Sequence, residues 1–405
     1  MNVPKIRYDN FTKEWEKVKL SSQASFLQGL TYTPNDVSND GTIVLRSSNI
    51  QNSMVDYNDI VRVNIIIPEK LKIKENDILM CVRNGSKSLV GKTAWLSKNE
   101  EKCTWGAFMN IIRPKERNKF VYYYLNSKYF YNHVWKDLGT ATVNQITKQT
   151  LESCYLNIPS IEEQEKISNT LSLLDQKIKL QSKKIEDLKL FKKGLINVLN
   201  KKSYQETALG KIGKFQTSSI DKLIKENEKI VNLYNYMDVY KHKILMTQDL
   251  SKLSKTSAKD NQITINNLKR GDILFTPSSE TPDDIGHSIC IQEDLPNTVY
   301  SYHLLRYRPN IIMDPLFSNY YFNNSKIRKQ IIRYATGATR YTISLDSFLK
   351  IKVNIPDLIT QKKYGLLLYS TDKKVNKELL KLNKLQELKK GLMQNMFVWA
   401  LFIVY

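Results

Sequence analysis

A step of alternating threes and fours from Leu171 passes through Leu171, Leu174, Ile178, Gln181, Ile185, Leu188, Lys192, Leu195 and Leu199. Seven of these nine positions are apolar, a period near 3.5 that predicts a helix with a seam for a second helix. The same step from Leu368 passes through Leu368, Thr371, Val375, Glu378, Leu382, Leu385, Lys389, Leu392 and Met396. The polar interruptions fall at equivalent places, so the two helices are expected to pair with each other. In an antiparallel pair, Glu378 should then lie beside Lys192, and Gln181 beside Lys389. Each run follows a proline. Ser160 and Glu163 have capping-box spacing, with acids at the positive helix end and Lys189, Lys192 and Lys193 at the other. The second start, "DLITQKKY", lacks those acids and is expected to be weaker. About 39 residues at roughly 1.5 Å each make a rod of nearly 60 Å.

Ahead of each helix, short apolar runs between polar turns predict strands, and the chain is written twice. "YYLNSK" at 123–128 returns as "YFNNSK" at 321–326, and Gly139 meets Gly337, both at an offset of 198. From there the offset is 197: Asn157-Ile158-Pro159 meets Asn354-Ile355-Pro356, Gln164 meets Gln361, and Asp175 meets Asp372. Earlier, "IKENDIL" meets "LKRGDIL" and Gly91 meets Gly286 at an offset of 195. The expected fold is α+β: two similar α/β domains, each followed by a long helix, the helices pairing as an antiparallel coiled coil with pseudo-twofold symmetry. The boundaries read 1–158 and 203–355 for the domains, and 159–202 and 356–405 for the helices, the last with an apolar tail.

"RNGSKSLVGKTAWL", residues 83–96, ends its loop like a phosphate-binding turn. Gly85 stands one residue too early for that motif, and the residues after Thr93 suit a strand better than a helix. The second copy reads "TPDDIGHS" there, without the lysine and with two acids. A loop that changes freely on a repeated scaffold is a recognition loop.

Composition says what such loops face. The 405 residues carry 62 Lys+Arg against 40 Asp+Glu, a net charge of +22, which favours a polyanionic partner, most simply nucleic acid. Four scattered cysteines without a CxxC pair argue against disulfides or zinc and fit a reducing cytoplasm. The N-terminus lacks a hydrophobic signal core, and the apolar "MFVWALFIVY" is too short to span a bilayer.

The order of these motifs resembles the DNA-specificity subunit of type I restriction–modification systems. The resemblance rests on "VPKIRYDNFTKEWEKVKL", the two "DIL" strands, "GTATVNQITKQTLESCYLNIPSIEEQEKI" with its second copy, and the two long helices. It implies two target-recognition domains, each reading half of a bipartite, asymmetric DNA site. It also implies that the helices set the spacer and dock two methyltransferase subunits, with restriction subunits joining for cleavage. No methyltransferase loop, nuclease motif, cofactor turn or metal-ligand cluster is found, so the chain is expected to be non-catalytic, without cofactor or metal. The four histidines stand apart from carboxylate clusters and read as surface or packing residues, with His287 best placed to read DNA. Candidate DNA contacts in the first domain are Arg46, Ser48, Asn49, Arg83, Asn84, Ser86, Lys87 and Lys92. In the second they are Tyr236, Lys241, His242, Lys243, Ser278, Ser279 and His287, with Arg340 as a phosphate ligand beside the helix start. The rival readings are a self-contained NTPase or nuclease, and a basic coiled-coil adaptor without sequence preference.

Overall fold

Both repeats fold onto one strand plan. The computed structural model describes residues 3–138, 144–201, 204–242 and 244–397. Its contacts divide the chain into two compact units, Met1–Ser182 with Lys381–Tyr405, and Lys183–Leu380. In the first unit, four antiparallel strands run in the order Ala24–Gln28, Met109–Pro114, Ile78–Cys81 and Thr93–Trp95. In the second, Gly213–Thr217, Leu305–Pro309, Ile273–Phe275 and Ser288–Cys290 repeat that order. Each unit adds a sheet with one parallel pairing: Thr42–Leu45 with Cys103–Trp105, and Lys229–Tyr234 with Thr298–Tyr300. A two-stranded ladder just ahead of each long helix ties the domain's start to its end, Glu16–Lys19 with Tyr155–Ile158 and Glu206–Ala208 with Lys352–Asn354.

The "DIL" motifs begin the central strands. Ile78 to Cys81 are buried at every position, as a strand covered on both faces requires. The aspartate ahead of each strand closes a turn: Asp77 Oδ2 accepts from the Lys74 amide at 2.8 Å, and Asp272 Oδ2 from the Lys269 amide at 2.8 Å.

The long helices run Ile161–Lys201 and Leu358–Asn395, and each contributes to both units. Ile167 and Leu171 of one helix, Met393 in the last turn of the other and Met396 just past it share the first unit's core with Phe120 and Phe130. In the second unit Leu199 joins Phe317, Phe322 and Phe348. The helices are antiparallel there, since Lys192 meets Asp372 while Lys184 meets Glu378.

That register corrects the expected pairing of Glu378 with Lys192 and of Gln181 with Lys389. Lys192 Nζ takes Asp372 at 2.6 Å, buried Glu378 takes Lys184 at 3.1 Å, and in the first unit Lys389 takes Asp175 at 2.5 Å. A tyrosine explains the choice of aspartate. Tyr123 donates to Asp175 Oδ2 at 2.8 Å with Lys389 Nζ 5.7 Å from its ring centre, and Lys192 Nζ lies 4.9 Å from the ring of Tyr320, which fills the same place at an offset of 197 where the sequence alignment at 198 pointed to Tyr321.

The helix starts also differ from expectation. Ser160 Oγ accepts from the Glu163 amide at 3.4 Å, the N-cap half of the expected box, while the Glu163 carboxylate accepts twice from Arg7 at 2.8 Å. The second start is capped by Asp357, whose Oδ1 accepts from the Thr360 amide at 2.9 Å. The apolar tail beyond Phe397, Lys243, and the segment 139–143 around Gly139 lie outside the described residues. Among described residues, no helix is long and apolar enough to cross a membrane, and no group of three or more His, Cys, Asp or Glu is arranged to hold a metal.

Candidate nucleic-acid interface

In the first unit, two loops at strand ends carry the candidates. After Thr42–Leu45, Arg46 leads into the turn Ser47–Asn49. Asn49 is fully buried; its amide donates to the carbonyls of Asp56 and Asp59, both at 2.8 Å, and its Oδ1 accepts from the Arg46 amide. It therefore shapes the turn, while Ser48 is exposed. Arg46 Nη2 is held by Asp59 at 2.8 Å. The second loop follows Ile78–Cys81. Arg83 is exposed with its guanidinium 5.2 Å from the ring centre of Phe108, itself exposed. Asn84 Nδ2 donates to Ser47 Oγ at 3.1 Å, which brings the two loops together. Ser86 bonds Asn84 through its amide, and Lys87 Nζ lies 5.3 Å from the ring centre of Trp135.

Gly91 ends this loop at φ +87°, and Thr93 opens a strand. No helix begins at Lys92, so no helix N-terminus faces a phosphate and the NTPase reading fails. Lys92 sits in the ladder, its carbonyl accepting from the Cys81 amide at 2.9 Å. Asn144, absent from the candidates, donates to the Gly85 carbonyl at 3.0 Å and so belongs to the same surface.

The second unit brings its candidates closer. Tyr236 donates to the Ser278 carbonyl at 3.0 Å and stacks on Tyr240 with centroids 6.0 Å apart. Ser278 Oγ accepts from Arg340 Nη2 at 3.1 Å. Arg340 therefore joins the recognition loop through the two-residue ladder of Ser278–Ser279 with Tyr341–Thr342. Ser279 is buried and spends its hydroxyl on the Thr281 carbonyl. Lys241 is exposed.

The histidines depart from their reading as isolated residues. His287 Nε2 lies 2.9 Å from Asp284 Oδ1, and His287 Nδ1 lies 3.2 Å from His242 Nε2. His242 Nδ1 meets the Ser288 carbonyl at 3.2 Å. Desolvation lowers the His242 pKa below its ordinary value, helped by the cations His287, Arg328 and Lys192 and opposed by the Ser288 carbonyl. Burial works to raise Asp284, but hydrogen bonds from His287 and Tyr240 hold it below the usual carboxylate value. Sequence reading missed Asp284, Tyr240 and Arg328. A Tyr-x-His spacing and an acid three residues before a histidine were the only local signals, and both are common.

Residues 12–190 match the family described as the type I restriction modification DNA specificity domain. That match spans a little under half of this chain. It is 28% identical over 181 residues to the StySPI specificity subunit of Salmonella potsdam, a match covering 43% of this chain and 39% of that one. To the EcoKI specificity subunit of Escherichia coli it is 29% identical over 167 residues, covering 40% and 36%. The matched stretch is thus about two fifths of each relative's length. The fold of the M. genitalium S subunit aligns over 98% of this chain and 99% of that one, with a TM-score of 0.58 at 15% identity. A chain from a type I assembly structure aligns over 95% and 98%, with a TM-score of 0.52 at 12% identity.

Proposed function

We propose that this chain is the DNA-recognition subunit of a type I restriction–modification complex, non-catalytic itself. Each unit reads one half of a bipartite, asymmetric site, and the long helices dock two methyltransferase subunits, with restriction subunits joining to cleave. One observation carries this reading: the same sheet presents, in each unit, polar loops at equivalent strand ends that share almost no sequence. A fixed scaffold with divergent loops is what two readers of different half-sites need, because base edges are discriminated by the side chains that reach them. Ser48, Arg83, Asn84, Ser86 and Lys87 of the first unit, and Tyr236, Lys241, Ser278, His287 and Arg340 of the second, are the proposed contacts. Arg46, Asn49, Lys92 and Ser279 support them from behind, and His242 holds His287 through its ring contact. The net charge of +22 supplies the phosphate attraction.

The test is single-molecule mapping of methylated adenines in cells expressing this chain with its methyltransferase partner. A two-part motif with a fixed unspecified spacer is expected. Methylation at a continuous motif, or none that depends on this chain, would overturn the reading.

A further inference from the structure

Hydrogen-bond arithmetic at the histidine pair leads beyond recognition by shape and fixed charge. The chain of contacts runs from Asp284 Oδ1 to His287, from His287 to His242, and from His242 to the Ser288 carbonyl, at 2.9, 3.2 and 3.2 Å. Both ends only accept: one is a carboxylate, the other a carbonyl. His287 Nε2 and His242 Nδ1 must therefore each carry a hydrogen, and the contact between the rings needs a third. Two neutral imidazoles hold two ring hydrogens. The three bonds are complete only when the pair carries one extra proton, shared across a coupled site.

We propose that His242 and His287 form a single proton-binding site on the reading surface of the second unit, and that the proton strengthens this unit's hold on DNA. The proposal rests on the DNA-recognition reading above. Protonation adds one positive charge beside Lys241. The groups facing the pair are Asp284 from the same turn as His287, Tyr240 from the preceding helix, Arg328 and Lys192. Duplex phosphates bring further negative charge and raise the proton affinity of the bound state. Loss of the proton breaks one bond. One of the three contacts is then left without a hydrogen, which loosens the turn that carries Lys241. The first unit has no counterpart: its histidine, His133, contacts Ser153 Oγ instead.

The sign follows from linkage. Phosphate charge favours the protonated pair in the complex over the free chain, so binding takes up a proton and affinity rises as pH falls. The experiment measures the affinity of the full chain for a duplex carrying its mapped site, at constant ionic strength, from about pH 5.5 to 8. The dissociation constant should rise by up to about tenfold for each unit increase in pH over part of that range. His287→Gln and His242→Asn should flatten the profile, and His133→Gln should keep it. A flat wild-type profile, or an unchanged slope in both pair variants, would overturn the proposal. Ring-proton NMR of the free chain gives an independent check, since the two imidazoles should titrate together and separate titration would refute the shared site. A chain that binds mapped and scrambled duplexes alike at every pH would instead defeat the recognition reading itself.

Discussion

Asp77 and Asp272 are each 1% exposed and each is gripped twice by an arginine: Arg113 at 2.7 and 2.7 Å, and Arg308 at 2.6 and 2.6 Å. The four residues keep the repeat offset of 195, so one buried bidentate pair is used in both units. Hydrogen bonding to the aspartate is the largest cause raising each arginine's pKa. Removing the cation leaves a buried carboxylate uncompensated, which costs about 3 kcal/mol or more in a fully buried pair. Both arginines keep some contact with water, at 26% and 35% exposure, so Arg308→Met should cost about 2–3 kcal/mol in urea unfolding. An unchanged midpoint would show that the pair is dispensable. The "DIL" repeat was plain in the sequence. Its reason was not, because the partner lies 36 residues away.

At the scale of elements, the seam is held at two equivalent triads, Tyr123–Asp175–Lys389 and Tyr320–Asp372–Lys192. Desolvation, then the nearby aspartate, pushes both tyrosines well above their ordinary pKa, so the hydroxyls stay protonated donors. Each ion pair keeps about a quarter to a third of its surface in water, which limits its worth to roughly 1 kcal/mol or less. Asp372→Lys should lower the melting temperature by a few degrees, and adding Lys192→Asp should restore most of it. Failure of the reversed pair to recover any stability would show that packing alone sets the register. The heptad pattern disclosed both helices and their seam. It misjudged the register because charge complementarity along a seam admits several alignments, and the tyrosines that choose one come from the globular domains. The second helix start lacks the acids of the first, and Asp357 caps it alone.

At the scale of the whole molecule, recognition should be modular. Exchanging residues 20–155 for those of a relative should change one half of the methylated motif and leave the other intact. A change in both halves would count against two independent readers. The triads also refine how the helices measure a site. Asp175 to Lys192 and Asp372 to Lys389 are both separations of 17 residues along a helix. Lengthening one helix alone makes these intervals unequal and should abolish methylation. Four residues inserted after Gln181 and four after Leu380 add about 6 Å, roughly one turn, to both. That is close to two base-pair steps of about 3.4 Å, so the unspecified spacer should grow by one or two base pairs with both half-sites unchanged. Active methylation at the original spacing would mean that the helices do not measure the site.

The sequence by itself determined the duplication, the α+β plan, the two long helices, their seam and the loops where the repeats diverge. All of these are periodicities or repeats, written locally and visible without knowing what touches what. Only the tertiary structure decided which side chains are free to read and which are spent. Asn49 and Ser279 have the chemistry of base contacts, yet burial commits both to their own turns, while Arg340 joins a recognition loop through a two-residue ladder 62 residues from its partner. His242, His287 and Asp284 form a proton-holding chain only because a sheet edge and a short turn converge. Such convergence depends on packing between distant segments, and no local pattern records it.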